Sequence, residues 1–379
     1  MERNIYDGVP SIKLRTRPTL TIICGCYNSR KDRLDRLLRS INSQGLNNDM
    51  EMILIDDCSK DTSYQEVIDK YRSKMSIRQY KTEENSWHGP GASRQIGLEN
   101  AFGKFLMICD HDDEYIENAL TTLVNYLKGD GKNDYYISTN FYMVAEDGTR
   151  LRDHSGLNSW NHGKVYSIDR LIRPYHIHFY EGLASHEDIC ISSQVNCAMS
   201  HMRRDPTELN LYTYLWYHNE DSASNRKMPI TFEGQVYEVP YIFTWFDDYL
   251  RSTLDVYIDF DSRGLADPQR MYYSSMQILA YSYFYLESML FEFPYNMCAD
   301  NYNHVRDAYQ KFKNHFKNFD TSPTAIYNWL ADNGARNFEI VQINTKIATN
   351  DFVPQESLMQ YLINITKPHQ DTCEIMYFV

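Results

Sequence analysis

A chain of 379 residues, 42% hydrophobic and 23% charged, can bury one large core or two ordinary ones. Its net charge of -13 excludes a protein that coats nucleic acid over its whole surface, although a local basic groove is compatible with it. The eight cysteines form no CxxC pair and no zinc-like spacing. Cys24, Cys58 and Cys109 sit in or just after apolar runs, so buried thiols in a reducing, cytoplasmic setting are expected. Residues 1–18 form a lead-in without the apolar stretch of a secretory signal. The most apolar longer region, 271–293, is interrupted by Ser275, Gln277 and Glu287. It reads as a buried helix, and no integral membrane segment is expected.

Short apolar runs alternate with amphipathic ones from Leu20 to Val144. The runs 20–26, 51–55, 76–80 and 104–109 predict strands, and 31–44, 61–74 and 91–101 predict helices, the second capped by Asp61 or Thr62. Residues 134–144 predict another strand, and 150–225 is a mixed region rich in His, Tyr and Trp. From about Asp267 the pattern turns helical, over 267–293, 299–319, 324–332 and 354–366. The expected class is α/β: a Rossmann-like, mostly parallel sheet flanked by helices, with a helical C-terminal extension.

Polar residues gather where these strands end. Gly25-Cys26-Tyr27-Asn28, Asp56-Asp57 and Asp110-His111-Asp112-Asp113 all fall at the carboxyl edge of the sheet, where open α/β sheets bind ligands. Strand alternation would put Asp110 and Asp112 on one side. Such paired carboxylates suit Mg²⁺ or Mn²⁺ shared with substrate phosphates. A lone Asp-x-Asp is commonly only a solvated turn; here it follows an apolar strand and shares an edge with Asp56-Asp57. Gly89-Pro90-Gly91 lacks GxGxxG spacing and follows a polar run, so it predicts a hinge and not a dinucleotide fingerprint.

Four segments in order, TIICGCYNS, MILIDDCSKD, GPGASRQIGLENAFGKF and LMICDHDDEY, resemble the donor-binding half of family 2 glycosyltransferases. Cys58 departs from the family's usual Gly or Asn, and Ser93-Arg94-Gln95 from its Ala-Arg-Asn. The resemblance implies a GT-A fold and metal-dependent transfer from a nucleotide-sugar donor, most simply a UDP-sugar, with inversion. It implies that Asp57 bonds the base between Cys26 and Tyr27, that Arg94 helps hold base or diphosphate, that Asp110 faces ribose or metal, and that Asp112 ligates Mn²⁺ or Mg²⁺. An Arg at a helix start also favours phosphate on physical grounds. The implied layout is a donor half over 19–145, an acceptor half over 146–262 and a helical domain over 263–379.

His186-Glu187-Asp188 resembles the family's Glu-Asp motif, which makes Asp188 the expected general base and Glu187 the alternative. Taken alone, the pair equally suits a helix start. Residues 212–224 resemble a Tyr-rich strand and Ser-x-Ser loop that would offer His218 as third metal ligand, with His178 and His186 as weaker rivals. Trp87, Trp216 and Trp245 could stack on sugar, though core packing is the commoner use. The expected acceptor is a surface glycan. A modified base in DNA is the alternative, drawn from Arg30, Lys31, Arg33, Arg36 and Arg39 on the first helix and the KFKNHFKNF run at 311–319. An inactive sugar-nucleotide-binding or assembly subunit is the alternative of another class.

Overall fold

The computed structural model describes residues 5–46, 48–85, 89–157, 161–218, 227–240, 246–293, 295–322 and 325. Two compact units emerge, one through residue 222 and one from residue 223.

The first unit is built on a sheet whose opening half follows the apolar runs. Strands β1 (Leu20–Cys26), β2 (Met50–Asp56), β3 (Ile77–Lys81) and β4 (Phe105–Asp110) lie side by side in the order β3-β2-β1-β4, all parallel. Nearly every residue of β1 and β2 is buried, the signature of strands covered on both faces. Helix α1 (Lys31–Asn42) places Leu34, Leu37, Leu38 and Ile41 on one stripe, each fully buried. Each such side chain contributes about 2 kcal/mol of burial. Helix α2 (Gln65–Tyr71) starts later than the capping signal predicts, because Asp61 spends its carboxylate on the Ser63 N–H in a turn. Helix α3 (Gly91–Asn100) packs so tightly on the sheet that a Cβ on Gly97 would lie 2.4 Å from Ile23 Cγ2.

The sheet continues beyond β4 in mixed sense. Next to β4 comes β8 (Lys164–Ser167), then β6 (Tyr136–Val144), β9 (Thr207–Tyr217) and the two-residue β5 (Glu114–Tyr115), with β7 (Arg150–His154) hanging on β6. β8 runs antiparallel to both β4 and β6, whereas β9 runs parallel to β6. Helix α4 (Ala119–Lys128) covers the sheet through Leu120, Leu123, Val124 and Leu127. Helix α5 (Glu187–His201) buries Cys190, Val195 and Ala198.

The second unit holds a hairpin of Lys227–Phe232 with Gln235–Pro240, then the long helices Pro268–Glu292 and Tyr295–His315. The first of these helices matches the predicted buried helix, with Met271, Ser275, Ile278 and Ser282 all inside. No helix among the described residues is long and apolar enough to cross a membrane. Apart from Ala325, the predicted helices 324–332 and 354–366 lie outside the described residues, as do Trp87, Trp245 and the Ser-x-Ser loop. Within 311–319, Phe312 and Phe316 are buried and pack with Tyr272. Their helical spacing therefore serves a core.

Candidate active site at the carboxyl edge of the sheet

The parallel strands stop together, and their next residues form the floor of the site. The turn after β1 is closed by Asn28, whose side-chain oxygen accepts from the Lys60 and Asp61 N–H groups while its own N–H donates to Ser59 Oγ. Two strand ends are thereby stitched edge to edge. Asn28 and Cys58 take φ of 45° and 53°. That left-handed backbone is one that Gly and Asn adopt at least cost, which makes Cys58 an unusual occupant.

Cys26 is buried, while Tyr27 projects outward with 39% of its surface exposed. Asp57 accepts from Thr82 Oγ1 at 3.0 Å, and its carbonyl accepts from Asn85 Nδ2 at 2.8 Å. Asp56 is a support rather than a ligand: its carboxylate takes hydrogen bonds from the Ser59 N–H and Tyr6 hydroxyl. Burial would raise its pKa, but those donors bring it below the usual carboxylate range.

The acidic run departs from the alternation expected of it. β4 ends at Asp110 and a turn follows at His111-Asp112, so the period of two breaks there. Asp113, not Asp112, comes round beside Asp110. Together with His162 these two bring ligand atoms within 4.8 Å of one another. Asp112 and His218 lie outside that cluster. The Asp112 carboxylate is 3.8 Å from Arg33 Nη1, and the His218 N–H donates to the Val144 carbonyl.

His162 Nε2 lies 3.6 Å from Asp110 and 3.7 Å from Asp113, with its ring stacked on Trp216 at 5.5 Å between centroids. Tyr214 of β9 links the two residues: its hydroxyl accepts from the Asp110 backbone N–H and donates to the Asp113 carboxylate. Asp113 is also held by the Tyr217 N–H at 2.8 Å. Burial and the charges of Asp112 and Asp110 push Asp113 well above the usual range, while Tyr217 and Tyr214 oppose them. Asp110 goes the other way: burial would raise it, yet Arg94 and His162 hold it well below.

This cluster fits a divalent cation. Two carboxylates and an imidazole are a hard-to-borderline donor set suited to Mn²⁺ or Mg²⁺, and the most buried carboxylate, 1% exposed, carries repulsion that a cation would relieve. His162 escaped sequence reasoning because it lies in the mixed region, some fifty residues past the acidic run, where no periodicity marks it.

Arg94 links the end of β4 to the start of α5. The residue is 5% exposed, and its guanidinium donates to both Asp110 and Glu187. Glu187 opens helix α5, directly after His186 in left-handed backbone at φ 60°. Close packing fixes the junction: a Cβ on Gly91 would sit 3.2 Å from Glu187 Cβ, and one on Gly89 only 2.3 Å from the Ala184 carbonyl. The Gly89-Pro90-Gly91 hinge thus seats α3 against the start of α5.

Asp188 follows on α5 and is partly exposed, with Oδ1 accepting from the Ile189 N–H at 2.8 Å. Burial and the Glu187 charge push its pKa up to about 7, against Ile189, Arg94 and Lys164. Burial pushes His186 down to about 4. His178 turns away, its ring nitrogen bonded to the His176 carbonyl. Three basic residues at the start of α1 are engaged with acids: Arg30, just before the helix, with Asp32, Lys31 with Glu66 and Arg33 with Glu146. Arg36 donates to the Asp112 carbonyl and lies 3.4 Å over the Tyr217 ring.

Residues 21–185 match the sequence profile of Glycosyl transferase family 2. They form a family 2 glycosyltransferase domain. Poly(ribitol-phosphate) beta-N-acetylglucosaminyltransferase TarS of Staphylococcus aureus is 28% identical over 179 residues, 44% of this chain and 30% of TarS. A GalNAc(5)-diNAcBac-PP-undecaprenol beta-1,3-glucosyltransferase of Campylobacter jejuni is 26% identical over 163 residues, 43% of this chain and 50% of the relative. The chain thus spans half or less of the length of these curated relatives. The fold is that of the GT-A enzyme TarS. The structure of its residues 1–349 with UDP aligns at a TM-score of 0.57 and 17% identity, covering 82% of this chain and 83% of that one. The UDP-GlcNAc complex aligns at 0.59 and 18% identity, covering 77% of this chain and 81% of that one.

Proposed function

We propose that this chain is a nucleotide-sugar-dependent glycosyltransferase that moves a sugar from a UDP-sugar to a hydroxyl of a cell-surface glycan, with inversion. The observation that carries the reading is the bridge of Arg94 between Asp110 and Glu187, which draws the start of α5 to the donor edge of the sheet. The named activities of TarS and the Campylobacter relative support a glycan acceptor, and the UDP-GlcNAc complex of TarS supports a UDP-linked donor.

In this reading Tyr27, Cys26 and Asp57 receive the base. Asp110, Asp113 and His162 would hold Mn²⁺ or Mg²⁺. The bound cation would offset the charge of the departing diphosphate. Asp188 takes the proton from the acceptor hydroxyl as that oxygen bonds to the anomeric carbon from the face opposite the diphosphate, and UDP leaves with the bonding pair. Glu187 is unsuited to that part because its carboxylate is committed to Arg94. A base near neutrality is well matched to the task, since it is ionised at working pH yet still accepts a proton. Arg94 itself is too enclosed to embrace a diphosphate and is better read as the clamp that orients Asp110 and Glu187.

Calorimetric titration with UDP, UDP-GlcNAc, UDP-glucose and UDP-galactose, with and without Mn²⁺, tests the donor side. Metal-enhanced binding of at least one is expected, and binding of none would overturn the proposal. Asp188→Asn should release UDP from the bound donor at least a hundredfold more slowly. Parent-rate turnover in that variant would remove Asp188 as base.

A further inference from the structure

Residues 5–12 lie outside the stretch that matches the family profile, yet they are bonded along its sheet. The Gly8 N–H donates to the Gln79 carbonyl at 3.1 Å and the Ser11 N–H to the Ile77 carbonyl at 2.8 Å, both on β3 at the end of the sheet order. Ser11 Oγ donates to the Met75 carbonyl and accepts from the Ile77 N–H, and Ser76 Oγ donates to the Ile12 carbonyl. An edge strand presents unpaired backbone groups, and the lead-in satisfies several of those on β3. Gly8 takes φ of 67°, and a Cβ there would lie 2.6 Å from the Tyr80 ring, so the segment lies flat against the strand.

The lead-in delivers one side chain to the donor edge. Asp56 and Lys81 face each other across the ends of β2 and β3. Tyr6 reaches over both: its hydroxyl donates to Asp56 Oδ2 at 3.0 Å, and Lys81 Nζ lies 3.5 Å from that same oxygen and 5.5 Å over the Tyr6 ring. Burial and the Asp56 charge push Tyr6 up to about 12, so its hydroxyl keeps the proton it donates. Asp56 in turn supports its neighbour. Its carbonyl accepts from the Thr82 N–H at 2.9 Å, and Thr82 Oγ1 donates to the Asp57 carboxylate at 3.0 Å.

We infer that the lead-in is a built part of the donor site and that Tyr6 is a positioning residue for uracil: its hydroxyl fixes Asp56, and through Thr82 the Asp57 carboxylate that takes the base. This rests on the assignment of Asp57 to the base. Uracil presents an N–H at N3 to such a carboxylate, whereas cytosine carries an acceptor there. The aim of Asp57 therefore decides how strongly UDP is preferred over CDP, because a directed hydrogen bond weakens steeply when its geometry slips.

The test measures UDP and CDP affinity by calorimetry, with and without Mn²⁺, for the parent chain, Tyr6→Phe and Asp57→Ala, beside thermal unfolding. Tyr6→Phe keeps the ring and removes only the hydroxyl. It is expected to weaken UDP roughly fivefold, by the same factor with or without Mn²⁺, and to leave CDP within about twofold of the parent.

Parent UDP affinity in Tyr6→Phe would overturn the inference. So would an equal loss of UDP and CDP, because that is the mark of a merely structural role. If Tyr6→Phe does not accumulate as folded protein, Gly8→Ala reads the same quantity, since it strains the lead-in without touching the donor edge: a reduced preference for UDP supports the inference, and a parent preference refutes it. Asp57→Ala separates the two layers. A parent preference for UDP there, or a parent chain that binds CDP as well as UDP, defeats the assignment of Asp57 and the inference with it. A preference lost in Asp57→Ala beside one kept in Tyr6→Phe defeats only the role of Tyr6.

Discussion

Replacing Asp188 by Asn should make the protein slower and more stable at once, and the gain in stability should grow with pH. The carboxyl group sits at about 7 in the folded chain against an ordinary 3.8. A raised carboxylate is protonated in the folded state and ionised in the unfolded state between those two values. Parent stability therefore falls as pH rises through that window, by up to about 1.4 kcal/mol per unit, and levels off above it. The full span gives an upper bound of about 4 kcal/mol, and water reaching the partly exposed carboxylate reduces this to about 2 kcal/mol.

Asn keeps the shape and cannot ionise. Its advantage over the parent should accordingly be small near pH 4 and reach about 2 kcal/mol by pH 8. Urea unfolding of both proteins at several pH values measures this directly. A stability difference that does not change with pH, or a variant less stable than the parent at pH 8, would refute the reasoning. Turnover follows the opposite rule: parent activity should climb as pH passes through about 7, where Asp188 loses its proton.

Three further outcomes are expected. Arg94→Met should cost about 3–5 kcal/mol in chemical denaturation, because it strands Asp110 and Glu187 without their shared cation, and Arg94→Lys should recover only part of this. His162→Gln should weaken the Mn²⁺-dependent part of UDP binding about tenfold in calorimetry, while binding without metal stays as it was. Gly97→Ala should lower stability by about 2 kcal/mol in thermal unfolding, since its Cβ meets Ile23 at 2.4 Å and neither the α3 backbone nor the strand can withdraw cheaply.

Much of the first half of the fold is legible residue by residue. β1 spans the predicted 20–26, and β2, β3 and β4 each fall within a residue of the predicted runs; β1, β2 and β4 are buried on both faces and so read as largely hydrophobic stretches. The carboxyl-edge placement of Asp57 and Asp110 follows from those same strand ends. The second half is harder because its strands are paired at long range. β8 is only four residues long and inserts between β4 and β6, although β4 is separated from it by more than fifty residues of chain. Nothing local marks Lys164 or His162 as buried, since both are polar residues in a stretch without periodicity.

What the chain order of residues determined by itself was the chemistry available: carboxylates at successive strand ends, an arginine at a helix start, and a Glu-Asp pair opening another helix. Local patterning suffices for that, because strand termini and helix starts are set by neighbours in sequence. Which carboxylate faces which was decided only in three dimensions. The turn at His111-Asp112 swings Asp113 beside Asp110, Tyr214 of β9 bonds the Asp113 carboxylate and the Asp110 backbone N–H, and Arg94 reaches from Asp110 across to Glu187. Those pairings join residues up to about a hundred positions apart. They depend on how distant strands and helices pack, which no short window of sequence encodes.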